Sequence, residues 1–411
     1  MIQASTVRVF DFLDENLSDS DTIEKAITFA KRHNAKTLVF DKKDWLIDRA
    51  ILFYSNVEFI VDGVTIRQMD DTFDNVFRPE NIIVDSTNPY GFPLAIKQTD
   101  NVKIIGKNGA RLEGPSVQAK RLDFSTGEMD ETWSDRWGWR GFLVYFTRCE
   151  NFEFGGFYLA KARSWTISVD RSNDGYFHDI EFYTNCENGD GLNLRIGSQN
   201  IKIENLKGTT SDDFIALNSM SLDWKYPMIQ PGKTYLYPLV ASNYLLSSEN
   251  SEARYIKNIQ IRNIYSKTEP NWCSQAVAFL GRDGNEISNV DIYGVYDMNP
   301  IEYGRIDIIG AYYDESYGET GNQPKLKNIR IDTVVCNSTP YAVLFRERVA
   351  GLKVNNVTQN FQDGVIVMAK DEDENEIEIA NSLAVSGIIQ DSTRNFKSVW
   401  ELIEFYKNGA L

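Results

Sequence analysis

Eight times along the chain one four-residue signature recurs: an apolar residue, any residue, then Gly, Asn, Asp or Thr, then a second apolar residue. It stands at Val61-Asp62-Gly63-Val64, Phe154-Gly155-Gly156-Phe157, Phe177-His178-Asp179-Ile180 and Ile203-Glu204-Asn205-Leu206. It returns at Ile261-Arg262-Asn263-Ile264, Ile292-Tyr293-Gly294-Val295, Ile331-Asp332-Thr333-Val334 and Val354-Asn355-Asn356-Val357. Counted between third positions, the step is 23 residues from 156 to 179, 26 from 179 to 205 and 23 from 333 to 356. Elsewhere it lengthens to 58 (205 to 263), 31 (263 to 294) and 39 (294 to 333), as inserted loops would make it. A unit this short cannot bury an apolar face alone, so it must stack on its neighbours as one turn of a coil of three short strands. The expected fold is all-β, a right-handed parallel β-helix. A propeller blade needs about 40 or more residues in four strands, and a sandwich shows no repeat.

An open coil exposes apolar core and unpaired strand edges at its ends, and two amphipathic segments stand where caps are needed. Ile23, Ala26, Ile27 and Ala30 follow helical spacing, with Asp21 and Glu24 as a start resembling a capping box. Val399, Leu402, Ile403 and Tyr406 repeat that spacing near the other end. The 411 residues are therefore expected to form one domain, with an N-terminal cap over 1–45, coil turns over 50–390 and a closing helix over 395–408.

Composition removes several function classes. With 43 Lys and Arg against 59 Asp and Glu the net charge is -16, and nucleic-acid binding rests on clustered cations that neutralise phosphates. No apolar run approaches the roughly 20 residues of a membrane span, and Met1–Phe12 has no basic segment followed by an apolar stretch and cleavage site. Neither a nucleic-acid nor a membrane partner is expected. Cys149, Cys186, Cys273 and Cys336 include no CxxC pair and read as buried free thiols. His33 falls in a predicted helix and His178 in a predicted strand, with no HExxH or serine-elbow motif near either. The run Asp371-Glu372-Asp373-Glu374-Asn375-Glu376 resembles the opening of a calcium loop, but Glu376 stands where the turn needs Gly and Ser382 where the bidentate Glu belongs. No metal or cofactor is expected.

Stacking turns spacing into a ruler, because residues one turn apart lie on strands about 4.8 Å apart. Asn188-Gly189-Asp190-Gly191 and Ser211-Asp212-Asp213-Phe214 fall on consecutive turns, and the step from 190 to 213 is 23. Asp190 and Asp213 are expected side by side with Asp212 adjacent. Carboxylates this close repel, so one holds its proton while another ionises. Glycosidic cleavage needs that combination, an acid for the leaving oxygen and a base for water. Asp and Asn also serve at plain corners, where they hydrogen-bond local backbone; two acidic clusters one turn apart favour chemistry.

At Arg140 to Ser219 the sequence resembles the polygalacturonase-like glycoside hydrolases, glycoside hydrolase family 28 of the pectin-lyase-like superfamily. Asn188-Gly189-Asp190-Gly191 is similar to that family's Asn-Thr-Asp-Gly element with Gly189 for Thr, and Asp212-Asp213 to its Asp-Asp element. Ala162-Arg163-Ser164-Trp165-Thr166-Ile167 resembles its Trp-containing strand, and the opening from Val9 to Phe40 resembles the superfamily's N-terminal cap, found also in phage tailspikes. The resemblance implies Asp212 as general acid, with Asp190 and Asp213 positioning and deprotonating water in an inverting hydrolysis.

Two departures accompany these matches. Gln275 stands roughly where the family's Gly-His-Gly element has His, and Gly304-Arg305-Ile306-Asp307 keeps Arg305 of Arg-Ile-Lys but replaces Lys with Asp307. In the family that basic pair grips a galacturonate carboxylate, which Asp307 would repel. A neutral or sparsely charged glycan is the expected substrate, held by Asn188, Gln275, Arg305 and, as a substitute cation, Arg282. Long insertions carry aromatics suited to stacking on sugar rings: Trp224, Tyr226, Tyr235, Tyr237 and Tyr244 between Met220 and Tyr255, and Trp133, Trp137 and Trp139 upstream. The leading expectation is a glycoside hydrolase acting on a poly- or oligosaccharide. The alternatives are a non-catalytic glycan-binding solenoid of the tailspike kind, suggested by the missing His and Lys, and a polysaccharide lyase.

Overall fold

The computed structural model describes residues 5–70, 72, 74–84, 93–116, 121–123, 128–130, 142–186, 188–219, 255–268, 275–281, 284–300, 307–311, 325–345, 349–369, 377–387 and 389–391. The fold is a parallel β-helix, in two compact units: residues up to Gly189 and, among those described, residues from Asp190 onward.

In the first unit Thr37–Phe40, Val57–Asp62, Thr99–Lys107, Cys149–Gly155 and Asn173–Tyr183 pair in parallel in that order. Two further ladders close each turn, Trp45–Ile47 to Tyr158–Ala160 and Ile51–Phe53 to Ile167–Asp170. Two antiparallel ribbons depart from the coil, Ile82–Val84 with Pro93–Ile96 and Arg121–Asp123 with Glu128–Asp130. In the second unit the long strands Gln199–Thr210, Tyr255–Thr268, Glu286–Asp297, Lys325–Cys336 and Val349–Gln359 form one parallel ladder. The short strands Leu192–Arg195, Ile215–Asn218, Val277–Leu280, Asp307–Ala311, Tyr341–Phe345 and Val365–Ala369 form another.

The registers reproduce the spacing of the signature: Phe154 pairs with Phe177, Leu206 with Ile264, Ile264 with Val295, Val295 with Val334 and Val334 with Val357. All eight third positions are left-handed, with φ between 52° and 80°. In an uninterrupted strand, residues three apart face opposite sides. A left-handed residue between them breaks the alternation, so both apolar members turn inward, and every one of them is buried, from Phe154, Ile203 and Ile261 at 0% exposure to Val64 at 8%. Gly, Asn and Asp recur there because they adopt this backbone at least cost.

A second left-handed corner was not read from the sequence. Asn56, Asn101, Asn151 and Asp174 occupy it in the first unit, and Asn200, Asn258, Asn289, Asn328 and Gly351 in the second. Five of their side-chain amides donate to the Asn one turn before, at 3.0 and 2.6 Å from Asn101 and Asn151 and at 2.8, 3.0 and 3.0 Å from Asn258, Asn289 and Asn328.

The N-terminal helix runs from Asp19 to His33 and buries Ile23, Ala26, Ile27 and Ala30. It starts earlier than expected, because Ser18 Oγ accepts the Asp21 amide while Asp21 Oδ2 accepts the Ser18 amide; the capping box is Ser18–Asp21, not Asp21–Glu24. Glu24 instead accepts from Arg49 Nε at 2.7 Å. Asp19 and Ser20 accept the amides of Leu46 and Asp48, tying the helix to the adjoining chain. The closing helix expected over 395–408, the acidic run 371–376 and Cys273 lie outside the described residues. Cys149, Cys186 and Cys336 are buried free thiols, and burial pushes the Cys336 thiol up to about 12. His178 rests between Asp179 and Glu153, at 2.8 and 3.2 Å. Among the described residues no helix is long and apolar enough to cross a membrane.

Thr333 is the one β-branched residue at the signature corner, with φ 59°, and such backbone costs a residue with a Cβ about 1 to 2 kcal/mol, less for Asn. Thr333→Asn is expected to stabilise the protein by about 1 kcal/mol in urea unfolding; an unchanged or lowered midpoint would contradict the strain assigned to this corner.

Candidate active site

Strands of the long ladder alternate buried and exposed residues, whereas Leu192–Arg195 and Ile215–Asn218 are buried at every position. Both faces of the short strands are therefore shielded, and polar groups on them need partners. Leu192, Ile215, Val277 and Ile309 pair in register and point into the core. Two residues ahead of each stand Asp190, Asp213, Gln275 and Asp307. The four form a polar column on successive turns, bound by backbone hydrogen bonds from Gly191 to Asp213 (2.9 Å), Phe214 to Gln275 (2.8 Å) and Ala276 to Ile308 (2.8 Å).

Asp190 and Asp213 are each 3% exposed, and Asp212 is partly exposed beside them. Asn193 Nδ2 donates to Asp190 Oδ2, while Asp190 Oδ1 is buried with no hydrogen-bond partner among the described residues. Burial, and then the charges of Asp212 and Asp213, push the Asp190 carboxyl well above its ordinary 3.8, although the Asn193 bond opposes the shift. Asp213 Oδ1 accepts the Gln275 main-chain amide at 3.0 Å, and Asp212 Oδ1 accepts the Asp213 amide at 3.0 Å. Thr210 Oγ1 holds the Asp212 carbonyl at 2.6 Å. Such a cluster can keep one carboxyl protonated and another ionised over the same pH range. Among the described residues no three His, Cys, Asp or Glu side chains are grouped to hold a metal ion.

The structure thus brings Asp190, Asp212, Asp213 and Gln275 together. Asn188 takes a left-handed backbone near the end of the first unit, with Thr184 Oγ1 donating to the Gly189 carbonyl at 2.5 Å. Arg282, Arg305, Trp224 and the other aromatics of the two insertions lie outside the described residues. Asp307, expected at the clamp position, is 2% exposed and accepts Gln275 Nε2 at 2.9 Å. The sequence reading missed Asn193, whose amide inside a short apolar strand, three residues after Asp190, is the signal that would have found it. It also missed Gly310, where any Cβ would overlap Asp307 Oδ2.

No family model and no curated protein matches the chain. Solved structures do match. A hyperthermoactive exopolygalacturonase from Thermotoga maritima aligns with a TM-score of 0.57 at 14% identity, over 95% of this chain and 93% of that one. The fold is that of the polygalacturonase-like parallel β-helices. An endo-xylogalacturonan hydrolase from Aspergillus tubingensis gives 0.53 at 13% identity, over 96% of this chain and 97% of its own. A mutant tailspike protein of E. coli bacteriophage HK620, in complex with a pentasaccharide, gives 0.58 at 12% identity, over 95% and 68%.

A proton-affinity shift in Asp190 has a consequence for stability. Its folded-state pKa stands above the unfolded value, so its contribution is fully present below the unfolded pKa and is lost as pH rises through the folded one. Asp190→Asn keeps an acceptor for Asn193 and removes the buried charge. The variant is expected to exceed the parent by about 1 to 3 kcal/mol at neutral pH, with the gap closing as pH falls toward 4. Urea unfolding across that range measures it; a gap independent of pH would rule out a buried ionisation at this position.

Proposed function

We propose that the protein is a glycoside hydrolase that cleaves a neutral or sparsely charged poly- or oligosaccharide by acid and base catalysis at Asp190, Asp212 and Asp213. The observation that carries this reading is the in-register pair Asp190 and Asp213 with Asp212 beside it, one carboxyl of the set held well above its usual range. Asp212, the partly exposed member, delivers a proton to the leaving oxygen as the bond from that oxygen to the anomeric carbon breaks. Asp213 and Asp190 orient a water molecule; Asp213 takes its proton as the new carbon–oxygen bond forms, with the inversion that the family resemblance implies. The cycle closes when the proton taken up by Asp213 passes through solvent to Asp212, which restores the acid and the base; the buried Asp190, with its raised proton affinity, limits the negative charge the cluster carries beside the water. The structural likeness to an exopolygalacturonase and an endo-xylogalacturonan hydrolase supports this reading.

Substrate charge follows from the departures. A carboxylate stands at position 307 where the resemblance would have Lys, and the chain carries a net charge of -16, so a uniformly polyanionic glycan is disfavoured. Aromatics of the insertions, Trp224 first among them, and Arg282 and Arg305 are proposed to hold sugar rings and their substituents.

A second reading, a glycan-binding coil of the tailspike kind, is favoured by Gln275 and Asp307 in place of the family's basic groups and by the likeness to a tailspike bound to a pentasaccharide. A panel of neutral and acidic glycans assayed for new reducing ends separates the two. The parent is expected to release sugar from a neutral or sparsely charged glycan, and Asp212→Asn to lose roughly 100-fold or more of that rate while melting like the parent. Undiminished release by Asp212→Asn would remove Asp212 as the acid, and binding without release by the parent would establish the second reading.

A further inference from the structure

Gln275 links two carboxylates that lie two turns apart. Its main-chain N–H donates to Asp213 Oδ1 at 3.0 Å, and its side-chain Nε2 donates to Asp307 Oδ1 at 2.9 Å. Gln275 is 7% exposed and Asp307 2%, so the pair is built into the wall of the coil. The strand gives up a side chain to make room, since a Cβ on Gly310 would overlap Asp307 Oδ2 and reach within 3.4 Å of Gln275 Cγ. A buried carboxylate is an expensive way to fill space, and apolar side chains of similar volume often serve stability better. Asp307 therefore calls for a role other than packing.

Register supplies it. Continued two residues back from the paired Leu192, Ile215, Val277 and Ile309, the register sets Asp213 between Asp190 and Gln275, with Asp307 following Gln275. The charged groups around Asp213 on these elements are Asp190, Asp212 at its side, Asp307 behind Gln275, and Arg195 at the far end of Leu192–Arg195. Three of the four disfavour a charge on Asp213. A hydrogen bond donated to a carboxylate favours its ionised form, and the Gln275 N–H is such a donor.

We infer that Asp307 and Gln275 are positioning residues for Asp213: Asp307 holds the Gln275 amide, and the Gln275 main chain so fixed keeps its N–H on Asp213 Oδ1 and Asp213 ionised. What Asp213 then does to water rests on the hydrolase reading; the linkage itself does not. The pair stands where the resembling family has His and Lys, so the basic side chains of that family are replaced here by a neutral amide anchored on a buried acid.

Carboxyl-carbon NMR titration of protein labelled at aspartate tests the linkage, with the Asp213 resonance assigned by its absence in Asp213→Asn. Asp307→Asn and Asp307→Ala both remove the charge at 307, but only the first keeps an oxygen for Gln275 Nε2. The Asp213 midpoint is expected to lie about one unit higher in Asp307→Ala than in Asp307→Asn, and Gln275→Met, which fills the space without the amide and keeps the charge at 307, is expected to lie at or above the Ala variant. Equal midpoints in the two Asp307 variants, or a Gln275→Met midpoint equal to that of Asp307→Asn, would overturn the inference. Should Asp307→Ala fail to fold, the double variant Gln275→Met/Asp307→Asn compared with Asp307→Asn decides, because both leave position 307 uncharged and only the second keeps the Gln275 amide. On a glycan that the parent cleaves, Asp307→Ala is expected to lower kcat roughly 10- to 100-fold with KM little changed and the acid limb of the pH profile moved upward, and Asp307→Asn to recover most of the rate. A parent that releases no sugar would refute the hydrolase reading and leave the titration result standing.

Discussion

Parallel hydrogen bonding between successive turns is the constraint on which the remaining structure depends. Each short strand binds the backbone of the next in fixed register, so a residue's neighbours are set by position in the turn and hardly at all by distance along the sequence. From residue 215 the next member of the ladder is residue 277, although 62 positions separate them. Core packing, corner geometry and the juxtaposition of acids are consequences of that one rule.

The rule acts with opposite sign at different places on the coil. Asn above Asn is favourable, because each amide has both a donor and an acceptor and the side chains satisfy one another turn after turn. Asp above Asp is unfavourable, because two acceptors meet without a donor. Asn258, Asn289 and Asn328 illustrate the first case and Asp190 with Asp213 the second. Stability accumulated in the ladders is what allows a repulsive pair to persist, and a repulsive pair is what an acid and base mechanism requires.

Much of this was legible in the sequence. The eight signatures specify the turn length and the fold because a left-handed corner accepts few residue types, and the step from 190 to 213 equals one turn and so by itself places two acids together. The Asn corner escaped notice since its sequence mark, Asn followed by alternating apolar residues, is common wherever a strand begins. The helix start was misplaced because Ser18 and Asp21 form as good a box as Asp21 and Glu24, and only the hydrogen bonds distinguish them. The Gln275–Asp307 link was hidden for a different reason: a buried acid cannot be told from an exposed one by its letter, and its meaning changed once Asp307 was found facing an amide rather than solvent.

The unequal length of the turns has its own implication. Steps of 23, 31, 39 and 58 residues are accommodated between the same long strands without disturbing register. Whatever is added between strands is therefore nearly invisible to the ladder, since lengthening a loop costs little in closure entropy. Inserted segments can be exchanged while Asp190 and Asp213 keep their places in the column, so under the proposed function substrate choice and bond-breaking chemistry could vary independently in a coil of this kind.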